Sequence, residues 1–188
     1  MKTYPSLKLI AVACMGTLAS CAPPPASTTL PTAAAPHPDS SLPGQLFKEV
    51  NAYRRNHGAS DLERHAGLDR LAQQHCEYLR QHRGQFGLYG KNVSHFGSEG
   101  RALVARERYH MYSVSENVAA TNCPGKNPAP TLVKLWSESK SHGYNMCNSW
   151  THTGVGVVVD PDGMVFATQI FAAMSYSQLS SRDRFNRF

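Results

Sequence analysis

The chain of 188 residues lacks an apolar run long enough to cross a bilayer. Its longest apolar stretch, from Leu7 to Ala19, falls short of the ~20 residues that a transmembrane helix needs. Charged residues make up only 17% of the chain, and its lysines and arginines are spread out rather than clustered. These features exclude a polytopic membrane protein. They also argue against nucleic-acid binding, which needs positive charge gathered on one face.

Common enzyme motifs are absent as well. The chain has no P-loop, no glycine-rich dinucleotide fingerprint, no Gly-x-Ser-x-Gly elbow and no His-Glu-x-x-His helix. The motifs therefore leave open whether the protein is an enzyme. The hydrophobic fraction of 41% is nevertheless typical of one folded domain accompanied by some unstructured length.

Residues 1–20 have the order of a secretory signal peptide. A short basic region with Lys2 and Lys8 is followed by an apolar core over residues 9–13 and then by small residues. Its removal would take two positive charges from the formal net charge of +6. The mature chain is therefore only mildly basic.

The segment Leu18-Ala19-Ser20-Cys21 resembles a bacterial lipobox, in which Cys21 is lipidated and becomes the first mature residue. The alternative is a plain secretory signal that happens to contain a cysteine. Two or three acyl chains, such as palmitate, would anchor the protein stably without a span. Ala22 stands where an Asp would indicate retention at the inner membrane, so the resemblance implies the outer membrane.

Residues 21–43 are rich in Pro, Ala, Ser and Thr and are predicted to form an extended stalk behind the lipid anchor. At ~3.1 Å per residue such a stalk could reach roughly 70 Å. The folded domain is predicted to cover residues 44–175. Residues 176–188 lack a helix or strand period and are predicted to be a flexible tail.

Within the domain, hydrophobic periodicity predicts four helices. The first ends near Gly58, and the others cover about 68–82, 102–109 and 131–142. Two β-branched runs, at 154–159 and 164–171, flank a Pro-Asp-Gly turn and predict a hairpin. Helices followed by a terminal hairpin favour the α+β class, with an antiparallel sheet covered by helices.

Four titratable residues are the candidate site residues: His95, Glu116, Glu138 and His142. On the predicted fourth helix, Glu138 and His142 lie one turn apart on the side that carries Leu135. Both should therefore point toward the domain or into a cleft beside its core. A buried carboxylate or imidazole there must find a polar partner.

Several segments together resemble the CAP superfamily, also called SCP-like, in its bacterial form. No single motif is specific, but their order and spacing cover nearly the whole domain. The matching segments are Asn51 to Gly58, Ser94-His95-Phe96 with Arg101, Ser115-Glu116-Asn117-Val118, the Trp136, Ser139, His142 and Asn145 pattern, and Gly154-Val155-Gly156 followed by Gln169 and Phe171.

The resemblance implies an α-β-α sandwich with a central cleft lined by two histidines and two acids, which hold a divalent metal in several members. His95 and Glu116 match the first histidine and the first acid. Eukaryotic members place their second acid where this chain has Ser139, with Glu138 one position earlier, and His142 substitutes for their second histidine. The predicted metal ligands are His95, Glu116 and His142, suited to zinc or another divalent cation. The alternative is a hydrogen-bonded polar network that pins loops together.

The cysteines fit an exported protein. Cys123 and Cys147 could clip two loops together as a disulfide, while Cys76 lies beside an apolar helix stripe and is interpreted as a buried free thiol. Pairings that involve Cys76 stay open.

The functional hypothesis is a lipoprotein of the cell envelope, at the outer membrane and facing the periplasm or the surface. It would bind an unknown small molecule, lipid, glycan or protein through the His95, Glu116, Glu138 and His142 cleft. The alternative is a metal-dependent hydrolase of peptides or envelope polymers, and a third hypothesis is a purely structural scaffold.

Overall fold

The structure, a computed structural model, describes residues 41–85, 95–122 and 127–174. All of them lie in one compact unit. The predicted signal peptide, nearly all of the stalk and the tail lie outside these residues. The described elements, in chain order, are α1 Leu42–Asn56, β1 Glu63–Arg64, α2 Ala66–Gln81, α3 Ser98–Tyr109, β2 Met111–Asn122, α4 Ala129–Ser137, α5 Lys140–Cys147, β3 His152–Val159 and β4 Met164–Met174.

The four strands form one sheet in the order β1-β3-β4-β2. The predicted hairpin is confirmed as β3 and β4, and its turn closes with the amide of Gly163 donating to the carbonyl of Asp160 at 2.9 Å. Gly163 has a φ of 85°, which glycine adopts without strain. The sheet is mixed rather than purely antiparallel, because the short β1 pairs with β3 in parallel.

Helices cover both faces of the sheet, which confirms the α+β sandwich. Alternate residues of a strand point to opposite faces, and β4 shows this clearly. Phe171 packs with Leu46 of α1 and Trp136 of α4, whereas its neighbour Ile170 packs with Leu68 of α2. The sheet therefore lies between α1, α4 and α5 on one side and α2 and α3 on the other. No described helix is long and apolar enough to cross a membrane.

Helix α2 lies close to the backbone of β3. Within the described ranges, the outer edge of β3 pairs only with the two residues of β1. A Cβ at Gly154 would stand 2.1 Å from the carbonyl carbon of Leu68, and a Cβ at Gly156 would meet the α2 backbone at 2.4 Å. The helix also supplies hydrogen-bond acceptors to the strand, since Val155 N donates to Asp69 Oδ1 at 2.8 Å. The two glycines thus let α2 approach closely enough for its side chains to accept hydrogen bonds from the backbone of β3.

The prediction of a single helix over residues 131–142 is wrong. Helix α4 ends at Ser137, Ser139 adopts extended backbone with φ −100° and ψ 122°, and α5 begins at Lys140. Serine favours such a break because its hydroxyl competes for backbone hydrogen bonds, and Ser137 Oγ donates to the carbonyl of Lys134 at 2.7 Å. Glu138 and His142 therefore do not share one helical face.

Three smaller differences concern element ends and strand β2. Helix α1 begins at Leu42 rather than after Pro43, since Ser41 caps it and accepts from the amide of Gly44 at 3.2 Å. Proline is compatible with a first helical turn. Helix α3 begins at Ser98, one turn earlier than predicted. Strand β2, which carries Glu116, has no counterpart among the predicted elements, because its polar residues hide the period of a half-buried strand.

Both cysteines in the described part of the chain carry free thiols. Cys76 is buried, as predicted, and burial raises the pKa of its thiol to about 12. Cys147 is also free, so the predicted disulfide with Cys123 is not seen. Cys123 itself lies outside the described residues.

Candidate functional site

The first half of the site is an ion-paired cluster around Glu116 on β2. Its Oε1 accepts from Arg101 Nη2 at 2.8 Å, and its Oε2 accepts from Arg101 Nε at 3.0 Å. The same Oε1 lies 2.8 Å from His95 Nδ1. The carboxylate is 10% exposed, whereas the His95 side chain is 47% exposed. Glu116 is therefore a buried member of the cluster, and His95 is its solvent-exposed member.

The turn from His95 into α3 brings these groups together. Gly97 has a φ of 76° and starts the helix in a left-handed conformation that glycine favours. One turn later, Arg101 reaches back and donates from Nη1 to the carbonyl of Phe96 at 2.8 Å. The guanidinium of Arg101 thus holds the His95-Phe96 turn against β2, because it hydrogen-bonds to both.

The charge state of Glu116 follows from these contacts. Burial by itself would raise its pKa, but the hydrogen bonds from His95 and Arg101, together with the charge of Arg101, outweigh burial and lower the pKa from 4.5 to about 2. The carboxylate is therefore ionised at any physiological pH. A neutral His95 must then donate through Nδ1, which leaves Nε2 as a hydrogen-bond acceptor.

The second half of the site is α5, which two asparagines fasten to β2. Asn117 Nδ2 donates to the carbonyl of His142 at 3.0 Å, and Asn145 Nδ2 donates to Asn117 Oδ1 at 3.0 Å. Trp150 Nε1 in turn donates to the carbonyl of Asn145 at 2.8 Å. Because Asn117 directly follows Glu116, these bonds fix the position of His142 relative to the ion-paired cluster.

His95 and His142 line one open cavity of about 990 Å³. Burial, and second the charge of His95, lower the pKa of His142. Ser139 and Ser141 also line the cavity, and their hydroxyl oxygens lie 3.2 Å apart. Of the predicted site residues, the structure thus joins His95 to Glu116 and places His95 and His142 on one cavity.

Glu138 differs from its prediction. Its carboxylate is 60% exposed and lies 3.9 Å from Lys134 Nζ, one turn away. The residue lines the rim of the cavity but needs no buried partner. The break between α4 and α5 turns this side chain toward solvent, so Glu138 is a rim residue.

The donor set does not fit a resident divalent cation. Both oxygens of Glu116 are engaged by the guanidinium of Arg101, whose positive charge lies where a metal would need to approach. Among the described residues, no three His, Cys, Asp or Glu side chains are grouped as metal ligands. The predicted zinc role of His95, Glu116 and His142 gains no support from this arrangement, and neither does a hydrolytic step that depends on a metal.

The sequence does not predict that Arg101, Asn117 and Asn145 hold the two segments of the site in place. All three occur in the segments that resemble the family, but the sequence assigns them no role. The available signal for Arg101 is its distance of one helical turn from Gly97, which directs the side chain back toward the preceding turn.

The comparisons with known proteins agree with this architecture. A family model described as the cysteine-rich secretory protein family, CAP, matches residues 47–171. No curated protein matches the chain at a significant level.

Solved structures show the same fold at low sequence identity. An outer surface protein of Borrelia burgdorferi has a TM-score of 0.57 at 15% identity, over 73% of this chain and 96% of that one. An extracellular SCP-domain protein of Bacillus anthracis has a TM-score of 0.54 at 22% identity, over 70% of this chain and 40% of that one. A cysteine-rich secretory protein of Staphylococcus aureus has a TM-score of 0.50 at 19% identity, over 70% and 38%. The chain thus spans about two fifths of the last two proteins.

Proposed function

From the premise that the chain belongs to the cysteine-rich secretory protein (CAP) family, we propose that it is a lipid-anchored protein of the cell envelope. Its domain binds a ligand or partner in the cleft between His95 and His142. Lipidation at Cys21 holds the protein at the outer membrane, and residues 21–43 act as a spacer. The description of the Borrelia relative as an outer surface protein and of the Bacillus relative as extracellular supports a location outside the cytoplasm.

One observation carries the binding proposal: the imidazoles of His95 and His142 come from separate segments and line a single open cavity. Each segment is held in place by hydrogen bonds to β2. Arg101 and Glu116 hold the His95 turn, while Asn117 and Asn145 hold α5. Such preorganisation lowers the entropic cost of binding. A neutral His95 ring offers the cavity one acceptor, because its Nδ1 donates to Glu116, and a neutral His142 ring offers one donor and one acceptor. The pair therefore suits a ligand with hydrogen-bonding groups.

Replacing both imidazoles tests this proposal. We expect the His95→Ala/His142→Ala variant to bind washed envelope fragments of a Gram-negative bacterium about tenfold more weakly than wild type, because at least two hydrogen bonds are lost. Co-sedimentation measures the binding, and thermal unfolding measures the stability. His57→Ala, at an exposed histidine outside the cavity, should bind like wild type. Unchanged binding by the double variant with a lowered melting temperature would instead favour the scaffold hypothesis.

The anchor is tested separately. We expect Cys21→Ser to move the protein from the membrane fraction to the soluble fraction, because acyl chains stabilise membrane attachment by ~0.8 kcal/mol per buried methylene. Detergent-free fractionation followed by immunoblotting gives the distribution. A variant that sediments with membranes as wild type does would exclude Cys21 as the anchor.

A further inference from the structure

A small apolar hollow lies where α4 and α5 meet β2. It has a volume of about 210 Å³, and its walls include Leu135 and Trp136 of α4 and Val118 and Ala119 of β2. Val118, Ala119 and Trp136 are buried, whereas Leu135 is only partly buried. Leu135 is therefore the wall of the hollow that offers accessible apolar surface to a ligand.

His142 relates this hollow to the cleft, because the residue lines both of them. Glu138 and Ser139 also line both, so the two cavities lie side by side. The backbone at this point is fixed, since Asn117 Nδ2 donates to the carbonyl of His142 at 3.0 Å. A ligand that contacts His142 from the cleft can therefore place a neighbouring group in the hollow.

The size and the lining of the hollow limit its occupant. An apolar cavity of roughly 150 Å³ holds one benzene molecule, so about 210 Å³ accommodates one aromatic ring or one branched alkyl group. A fatty acid has more than twice the carbon atoms of benzene and does not fit inside. A sugar ring carries hydroxyls that apolar walls would leave without hydrogen-bond partners.

The surroundings of the hollow indicate what the apolar group is attached to. A neutral His142 offers one donor and one acceptor, and the hydroxyls of Ser139 and Ser141 line the adjoining cavity. A peptide combines both kinds of chemistry, because its residues carry a backbone donor and a backbone acceptor beside each side chain. We propose that the hollow is a side-chain subsite, which takes one leucine or phenylalanine side chain of a polypeptide partner whose backbone bonds to His142. This inference rests on the proposed ligand-binding function and names the chemistry of its ligand.

Short capped peptides test the proposal. The probes are acetyl-Gly-Phe-Gly-amide, acetyl-Gly-Leu-Gly-amide and acetyl-Gly-Gly-Gly-amide, titrated into the full chain and followed by NMR shifts of the Leu135 methyl groups and the His142 ring. We expect the phenylalanine or the leucine peptide to bind at least tenfold more tightly than the glycine peptide, because only these two bury an apolar side chain.

Variants of Leu135 locate the binding. We expect Leu135→Trp, which places a larger side chain at the hollow, to weaken binding of the better peptide by about tenfold. Leu135→Gln, which makes the wall polar at similar volume, should weaken it as well and serves if the tryptophan variant is unstable. Leu103→Trp is the matched control, because Leu103 is 56% exposed on α3 and lines neither the hollow nor the cleft cavity.

The outcomes separate this inference from the proposed function. The subsite is overturned if no peptide binds at about 5 mM, if all three peptides bind equally, or if both Leu135 variants bind like Leu103→Trp. Envelope binding that needs His95 and His142 but survives protease treatment of the fragments would also overturn it, because the partner would then not be a polypeptide. The proposed function survives each of these results and fails only if the double histidine variant binds envelope fragments as wild type does.

Discussion

Replacing Gly154 by alanine is expected to lower the free energy of unfolding by about 3 kcal/mol or more. The new methyl group would stand 2.1 Å from the carbonyl carbon of Leu68 and 2.3 Å from the amide nitrogen of Asp69. Both obstacles are backbone atoms of α2, so no side-chain rotation relieves the overlap. The helix must move off the sheet and thereby weaken the hydrogen bond from Val155 to Asp69. Urea denaturation followed by circular dichroism measures the loss.

Gly100→Ala is the matched control for this variant. Gly100 lies within α3, and a Cβ there would meet no atom within 4 Å beyond its chain neighbours and the adjacent backbone of its own helix. Alanine should stabilise that helix by about 0.5–1 kcal/mol. A Gly154→Ala variant as stable as wild type would show that α2 does not rest on β3 as described.

Replacing Arg101 by leucine is expected to lower the free energy of unfolding by about 2–3 kcal/mol at pH 7. The change leaves the ionised Glu116, only 10% exposed, with His95 as its remaining charged or polar neighbour from the cluster. It also removes the bond to the carbonyl of Phe96 that fixes the His95 turn. Chemical denaturation at several pH values measures the effect.

The pH dependence of the free energy of unfolding shows whether the ionised Glu116 causes the loss in Arg101→Leu. Because folding lowers the pKa of Glu116 from 4.5 to about 2, the stabilisation from its charge is complete above pH 4.5 and is lost as the pH falls toward 2. The difference in free energy of unfolding between wild type and Arg101→Leu should therefore become smaller as the pH falls from 4.5 toward 2. Arg55→Leu breaks the exposed ion pair with Asp61 and should cost at most about 1 kcal/mol. Equal losses from the two arginine variants would contradict the account of Glu116.

Much of the fold is predictable because it depends on local patterns. The apolar stripes of α1 and α2 and the β-branched runs around the Pro-Asp-Gly turn are periodic over whole elements. Strand β2 and the break at Ser139 are not predictable in this way. On β2, Asn117 is buried by hydrogen bonds with the distant α5, and Glu116 is paired with Arg101 of α3. At the break, Ser139 has extended backbone between two helices, which the helical period of the flanking residues does not indicate.

The site shows the same division. Residue type and family resemblance predict His95, Glu116 and His142 as site residues. They do not identify the partner of Glu116, because a carboxylate beside a histidine is equally compatible with a metal and with an arginine. Only the turn at Gly97 decides the matter, since it carries Arg101 to both oxygens of Glu116. The prediction misplaces Glu138 because it assumes one helix where there are two.

The titration of His142 tests the central claim most directly, namely that the two imidazoles face one cavity. In wild type, NMR of the labelled rings should give His142 a pKa below the ordinary value of about 6.5, because of burial and the charge of His95. In His95→Gln that charge is absent, so the pKa of His142 should rise. A His142 ring that titrates at the same pH in both proteins would contradict the account.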